Sequence, residues 1–201
     1  MVKQATTGEE TRKRIIKTAF NEFYRRGFQG ASLNRIVDEA STTKGALFHH
    51  FAGKADLGLA VVDEILFPEV KQVWVDPLNQ TDDPITTISA IMSRMAEECS
   101  GDKLCQGCPL NNLAQEMSPL DEEFRLRLER IYVAWRAAIE GAFARGISAG
   151  NIKPTAQPKQ IAAFMVACFA GTIGTAKNAQ DSNIMMLSGA ALMEYMETQK
   201  A

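Results

Sequence analysis

The chain has 201 residues, 46% of them apolar and 23% charged, which suits one large domain or two small ones with a substantial core. No run approaches the roughly 18 continuous apolar residues of a membrane helix, and the polar start MVKQATTGEETRKR lacks the apolar region of a signal peptide, so the cytoplasm is the expected compartment. The net charge of −2 hides an asymmetry: residues 1–56 carry +4 and the remainder −6, a basic head on an acidic body that suits an anionic partner at one end, or else a solvated charged face.

Nearly every segment has helical period. Ile15, Ile16, Ala19, Phe20, Phe23 and Tyr24 form one apolar face, with Arg12, Lys13, Arg14 and Lys17 around its first turns and Gly27 as its end. Ser32 is placed to cap a second helix whose Leu33, Ile36, Val37 and Ala40 recur at i, i+3, i+4 and i+7. Ser41-Thr42-Thr43 interrupts it and starts a third, KGALFHHF, with Leu47 and Phe51 on one face. A longer helix is predicted from Lys54 to Trp74, with Leu57, Val61, Ile65 and Val73 inward and Pro68 bending or breaking it.

The turn-rich VDPLNQTDDP precedes a helix from Ile85 to about Cys99, and SGDKLCQGCP is the least regular stretch. A short helix over Leu110 to Met117 follows. SPLDEEF then opens a long helix that runs to about Gly146, with acids in its first turn. Two helices rich in small and apolar residues, about 158–178 and 183–198, finish the chain. No strand pattern and no repeat is visible. The fold is read as all-α, about nine helices: a three-helix head with a helical remainder.

Helices two and three, joined by a short polar turn, make a helix-turn-helix, whose second member can lie in a DNA major groove; an ordinary helical hairpin has the same spacing. The polar side of the third helix offers Thr42, Thr43, Lys44, His49 and His50. Adjacent histidines on a helix point about 100° apart, and no ligand pattern accompanies them, so they suit DNA phosphates or base edges better than a metal.

The stretch GFQGASLNRIVDEASTTKGALFHHFAGKADL resembles the signature of TetR-family transcriptional repressors. The resemblance is strong over about residues 9–60, and the helical remainder is similar to that family in architecture alone. It implies a homodimer with a DNA-binding domain at residues 1–53 and an effector-binding and dimerisation domain at 54–201. It also implies that effector binding moves the two heads apart and releases double-stranded DNA at a pseudo-palindromic operator. By resemblance the DNA-contacting positions are Ser32, Arg35, Thr42, Thr43, Lys44, Gly45, Phe48, His49, His50 and Lys54. Ser41-Thr42-Thr43 replaces the usual Gly-Val-Ser, Ala46 replaces a Thr, and Phe48 replaces a tyrosine whose hydroxyl often meets a phosphate. These departures are expected to retune sequence preference rather than abolish binding.

Cys99, Cys105 and Cys108 cluster, and Cys105-Gln-Gly-Cys108 is a C-x-x-C. Three thiols fall short of a zinc set, and no βαβ context supports a thioredoxin-like site. A regulatory disulfide, an electrophile-sensing thiol and plain thiols without a role stay open. GCPLNNLAQEMS is similar to a segment in the branch of the family containing the N-ethylmaleimide-responsive repressor, which implies an electrophile-reactive thiol at Cys108 alone. Lys103 is near enough in sequence to bear on that thiol.

Effector-pocket candidates are the large apolar residues Trp74, Met92, Met95, Leu113, Met117, Tyr132, Trp135, Phe164, Met165 and Phe169, together with Cys108; each serves equally well as plain core. Cys168 reads as packed. Gly171, Gly174, Met186, Ala190 and Met193 mark the last two helices as a dimer interface, a four-helix bundle about a two-fold axis. With two adjacent histidines and no H-E-x-x-H, G-x-S-x-G or phosphate loop, neither an enzyme nor a metal or cofactor site is expected. The leading function is a ligand-responsive repressor released by a small apolar or electrophilic effector. The alternatives are a thiol sensor using Cys108, or Cys105 with Cys108, and a helical small-molecule-binding protein with weakened DNA binding.

Overall fold

The computed structural model describes residues 8–98 and 106–201. Among them there are nine helices and no strand; an isolated bridge joins Ile152 to Lys200. The helices are α1 (Gly8–Gly30), α2 (Leu33–Glu39), α3 (Lys44–His50), α4 (residues 54–79, a run of helical segments), α5 (Pro84–Glu98), α6 (Pro109–Met117), α7 (Glu122–Ala149), α8 (Pro158–Ala179) and α9 (Ser182–Glu197). They fall into two compact units. The first takes the chain through Pro68 together with Asn112–Leu128, and the second takes Glu69–Asn111 and Glu129–Ala201.

In the first unit, α1 buries Ile15, Ile16, Ala19 and Phe23, the stripe its spacing dictates. Gly27 interrupts it at φ 74°, which a residue without Cβ adopts at no steric cost, and a last turn through Phe28 resumes beyond the break. Ser32 stands at the N-cap of α2 but its side chain makes no cap bond. Its backbone N–H donates to Glu22 Oε1 at 3.1 Å, so α2 is tied to α1 at its N-cap through the main chain and not through the hydroxyl. Thr43 does cap α3, accepting from Ala46 N at 3.1 Å. Leu47, Phe51, Ile36, Ala40, Leu57 and Val61 are buried. Phe28 meets Phe124 edge-on at 4.9 Å between ring centroids. Gly58 leaves room for both rings, because a Cβ there would lie 2.6 Å from each.

Pro68 neither breaks nor ends α4. Lys54–Val61 passes into a π-helical turn at Val62–Leu66, then Phe67–Val70, a second π-helical turn at Lys71–Val75, and Asp76–Asn79. A proline removes an N–H and crowds the carbonyl of the preceding turn, and a widened turn absorbs both defects.

The second unit is packed around Ile85, Ile88, Ile91, Trp135, Ile139, Phe143, Ile161, Met165, Leu192 and Met196. Gly146 is crowded, since a Cβ would stand 2.6 Å from Ile152 Cγ1. The C-terminal residues are tied down by Lys153 N to Gln199 O at 2.9 Å and Ala201 N to Asn151 O at 3.2 Å. By length and composition α8 could cross a membrane. It lacks a continuous apolar run, but its small residues and its charges confined to the two ends raise its average.

Candidate nucleic-acid interface

α3 is seven residues long and divides cleanly by face. Leu47 is fully buried, whereas Lys44, Gly45, Phe48 and His49 are exposed, Phe48 at 54%. Thr43 is exposed, Thr42 half-buried, and His50 half-buried beside the start of α1 near Gly8. The rings of His49 and His50 meet edge-on at 5.1 Å and diverge by 66°. The outward face therefore joins a cation, an imidazole, a hydroxyl and a large apolar ring, with no carboxylate among them.

The remaining resemblance-derived positions are held by internal partners. Arg35 Nε donates to Glu22 Oε1 at 2.6 Å and Arg35 Nη2 to Gly30 O at 3.0 Å. Lys54 Nζ donates to Gln29 O at 3.0 Å and lies 5.0 Å from the centre of the Phe28 ring. Burial lowers the Lys54 ammonium from its usual value, against the pull of Glu116 and Glu22. Ser32 offers its backbone to Glu22, as above. These three residues brace α2 and α4, while Thr43, Lys44, Gly45, Phe48 and His49 present a surface.

Sequence reasoning missed Glu22, the buried charged residue of the first unit, at 3% exposure. Burial pushes its carboxyl up, but hydrogen bonds from Arg35 and Ser32 N–H and the charges of Arg35 and Arg26 outweigh this and hold it below the ordinary range. The signal was present: Glu22 lies on the buried stripe with Ile15, Ala19 and Phe23, where a carboxylate needs partners. Arg14 was also missed in its role; its Nε donates to Ala40 O at 2.7 Å, closing the last carbonyls of α2. Arg12 pairs with Glu64 at 2.6 and 2.7 Å and stands over the Phe51 ring.

Of the effector candidates, Trp74, Trp135 and Met165 are buried in the second unit, and Met92, Met95, Tyr132 and Phe169 pack against that core. Trp74, Trp135 and Phe169 form a ring triad with centroids 5.0, 5.3 and 5.5 Å apart. Trp135 Nε1 is buried with no hydrogen-bond partner among the described residues. Burial drives the Tyr132 hydroxyl far above its ordinary value, so it stays a neutral donor. Phe164 is 47% exposed and meets Tyr195 edge-on at 5.0 Å, on the outside of α8 and α9. Leu113 and Met117 are buried, but in the first unit.

Cys108 is half-buried and unpaired by disulfide, and Cys168 likewise. Burial pushes the Cys108 thiol up, against backbone hydrogen bonds from Asn111 and Leu110 that favour the thiolate. Cys99, Cys105 and Lys103 lie outside the described residues. No group of three or more potential metal ligands occurs among the described residues. Of the dimer candidates, Gly171, Met186 and Ala190 are exposed, Gly174 and Met193 half-buried. Neither Gly171 nor Gly174 has any atom within 4 Å of where a Cβ would stand.

Two families match. Residues 15–61 match the bacterial regulatory proteins of the tetR family, and residues 84–191 match the tetracyclin repressor-like C-terminal domain. The chain is 27% identical to an HTH-type transcriptional regulator in the lacX 3′ region of Lactococcus lactis, covering 87% of each. It is 26% identical to the HTH-type transcriptional repressor DhaR of a Mycobacterium species, covering 81% of this chain and 80% of that one. Its fold superposes on reduced E. coli NemR with a TM-score of 0.81 at 21% identity, covering 96% of this chain and 98% of that one.

Proposed function

The chain belongs to the TetR family of bacterial transcriptional regulators, and on that premise we propose that it is a homodimeric repressor that releases its operator when a small uncharged effector enters the second unit. The observation that carries this reading is the division of α3: a fully buried Leu47 on one side, and Lys44, Phe48 and His49 exposed on the other. Such a helix can anchor by one face and enter a major groove with the other. Thr43, Lys44, Gly45, Phe48 and His49 make the contacts, with Thr42 and His50 at the margin. Lys44 and the N-terminal amides of α3 serve phosphates, His49 serves a phosphate or base edge, and Phe48 serves apolar groove atoms. Ser32, Arg35 and Lys54 contribute through the scaffold that aims α3.

DNA reading is assigned to residues 1–53, and effector binding and dimerisation to 54–201. Two identical heads imply a pseudo-palindromic site in double-stranded DNA. The exposed apolar face of α8 and α9, with Phe164, Met186 and Leu187, suits a symmetric partner and gives α8 its place in a cytoplasmic protein without a membrane. In the second unit the neutral donors Trp135 Nε1–H and Tyr132 O–H lie among aromatic and methionine side chains. They favour an apolar molecule with an acceptor oxygen over a charged one. The raised Cys108 thiol is a poor nucleophile at neutral pH, which favours reversible binding over thiol sensing. The protein acts by binding rather than catalysis.

The test is a mobility shift of the intact chain on the DNA upstream of its own gene. A dimer-sized complex at low salt is expected, and a folded dimer that shifts no fragment would exclude the reading.

A further inference from the structure

The last turn of α1, beyond the break at Gly27, is held from two sides. Phe28 N and Gln29 N donate to the two oxygens of Glu116 at 2.8 and 2.7 Å. Their own helical acceptors are lost because Gly27 leaves the helical conformation at φ 74°. The fit is close: a Cβ at Gly27 would lie 3.1 Å from Glu116 Oε2. From the other side Lys54, the first residue of α4, donates to Gln29 O at 3.0 Å. The neighbouring Gln29 side chain reaches Met117 Sδ at 3.7 Å.

This clamp sits at a decisive corner. α3 lies in the chain between α2, which Arg35 Nη2 ties to Gly30 O at this corner, and α4, which Lys54 ties to Gln29 O. The position of the α1 corner therefore sets both supports of the outward face of α3. Glu116 comes from α6, a helix whose first residues, through Asn111, belong to the second unit. Its carboxylate takes two amides that lie just beyond the break in α1.

We propose that Glu116 is a positioning residue for operator reading: by holding the Phe28 and Gln29 amides it fixes the angle of α3. The proposal rests on the DNA-binding reading above.

The test uses the intact dimer and a duplex that the wild-type protein itself selects from a random pool. Affinity for that duplex and for an unrelated duplex is measured at one salt concentration for wild type, Glu116→Ala and Glu116→Gln. Amide exchange at residues 28 and 29 is followed alongside. Glu116→Ala is expected to lose at least about tenfold in preference for the selected duplex, the scale of a lost pair of charge-assisted bonds. Glu116→Gln keeps one acceptor and should fall between. Both should hold the unrelated duplex as well as wild type does and exchange faster at residues 28 and 29. A purely structural role would lower stability and leave the preference of the folded dimer intact. Folded variants with wild-type preference overturn the proposal. Should Glu116→Ala not fold, unchanged preference in Glu116→Gln overturns it alone. A wild-type dimer that selects no duplex fails earlier, overturning the DNA reading and this proposal with it.

Discussion

The two units treat their buried polar groups in opposite ways. In the first, the buried Glu22 carboxylate collects Arg35, Arg26 and the Ser32 amide, and Glu116 collects two more amides. In the second, the buried Trp135 Nε1–H has no acceptor among the described residues. Their surfaces differ as well. The first unit exposes Lys44 and His49 beside Phe48 on α3, with Leu120 and Leu126 elsewhere, whereas the second exposes Phe164, Met186 and Leu187 together on α8 and α9. On the function proposed above, a cation and an imidazole beside one apolar ring suit a polyanionic partner, and an unmet donor inside with apolar side chains outside suits a ligand and a second copy of the chain.

The largest effect should come from removing the satisfied group. Glu22→Ala strands Arg35 and the Ser32 amide, and should cost the first unit about 2–4 kcal/mol in denaturant unfolding. The same carboxylate gives a pH signature. Its folded pKa lies below the unfolded one, so its stabilisation is complete above the unfolded carboxyl value and is lost as pH falls through the lowered folded value. Acid unfolding of Glu22→Ala should therefore lack that component. A variant with wild-type stability and acid profile would break the comparison on the side of the first unit.

Gly58→Ala should come next. The new Cβ would stand 2.6 Å from Phe124 Cζ and Phe28 Cε2, and overpacking of about 1–3 kcal/mol exceeds the gain in helix propensity of about 1 kcal/mol. The expected net loss is up to about 2 kcal/mol in the unfolding free energy. The smallest change should come from Trp135→Phe, which keeps a ring in the triad and removes the unmet donor, so that relief of up to about 1 kcal/mol offsets the ring volume lost. A loss of more than about 3 kcal/mol, beyond what the lost volume explains, would mean that Nε1–H is satisfied in solution and that the contrast between the units is false.

Much of the first unit was legible because its requirements are local. The apolar spacing of Ile15, Ala19 and Phe23, the glycine at 27 and the threonine cap at 43 each act within a turn or two of chain. What escaped depends on distant pairing. Arg35 and Lys54 have the chemistry of DNA contacts, and their bonds to Glu22 Oε1 and Gln29 O, which join residues 13 and 25 positions apart, are not visible in the sequence. Ser32 had the right type and position for a cap, yet its hydroxyl makes no cap bond and its backbone N–H is held by a carboxylate ten residues away. In the second unit the helical period marked all the large apolar residues alike. It did not separate Phe164, which turns outward to Tyr195, from Met165, one residue on and fully buried. Nor could it bring Trp74, Trp135 and Phe169 together from three helices.

The most direct test of the account is the salt dependence of binding to a selected duplex by the wild-type dimer, Lys44→Ala and His49→Ala. If the outward face of α3 reads DNA, Lys44→Ala weakens binding to all sequences alike and lowers the salt slope by about one counterion. His49→Ala then costs about 1–3 kcal/mol if it contacts a base edge, concentrated at particular base pairs. Folded dimers of both variants with wild-type affinity, slope and preference would contradict the account.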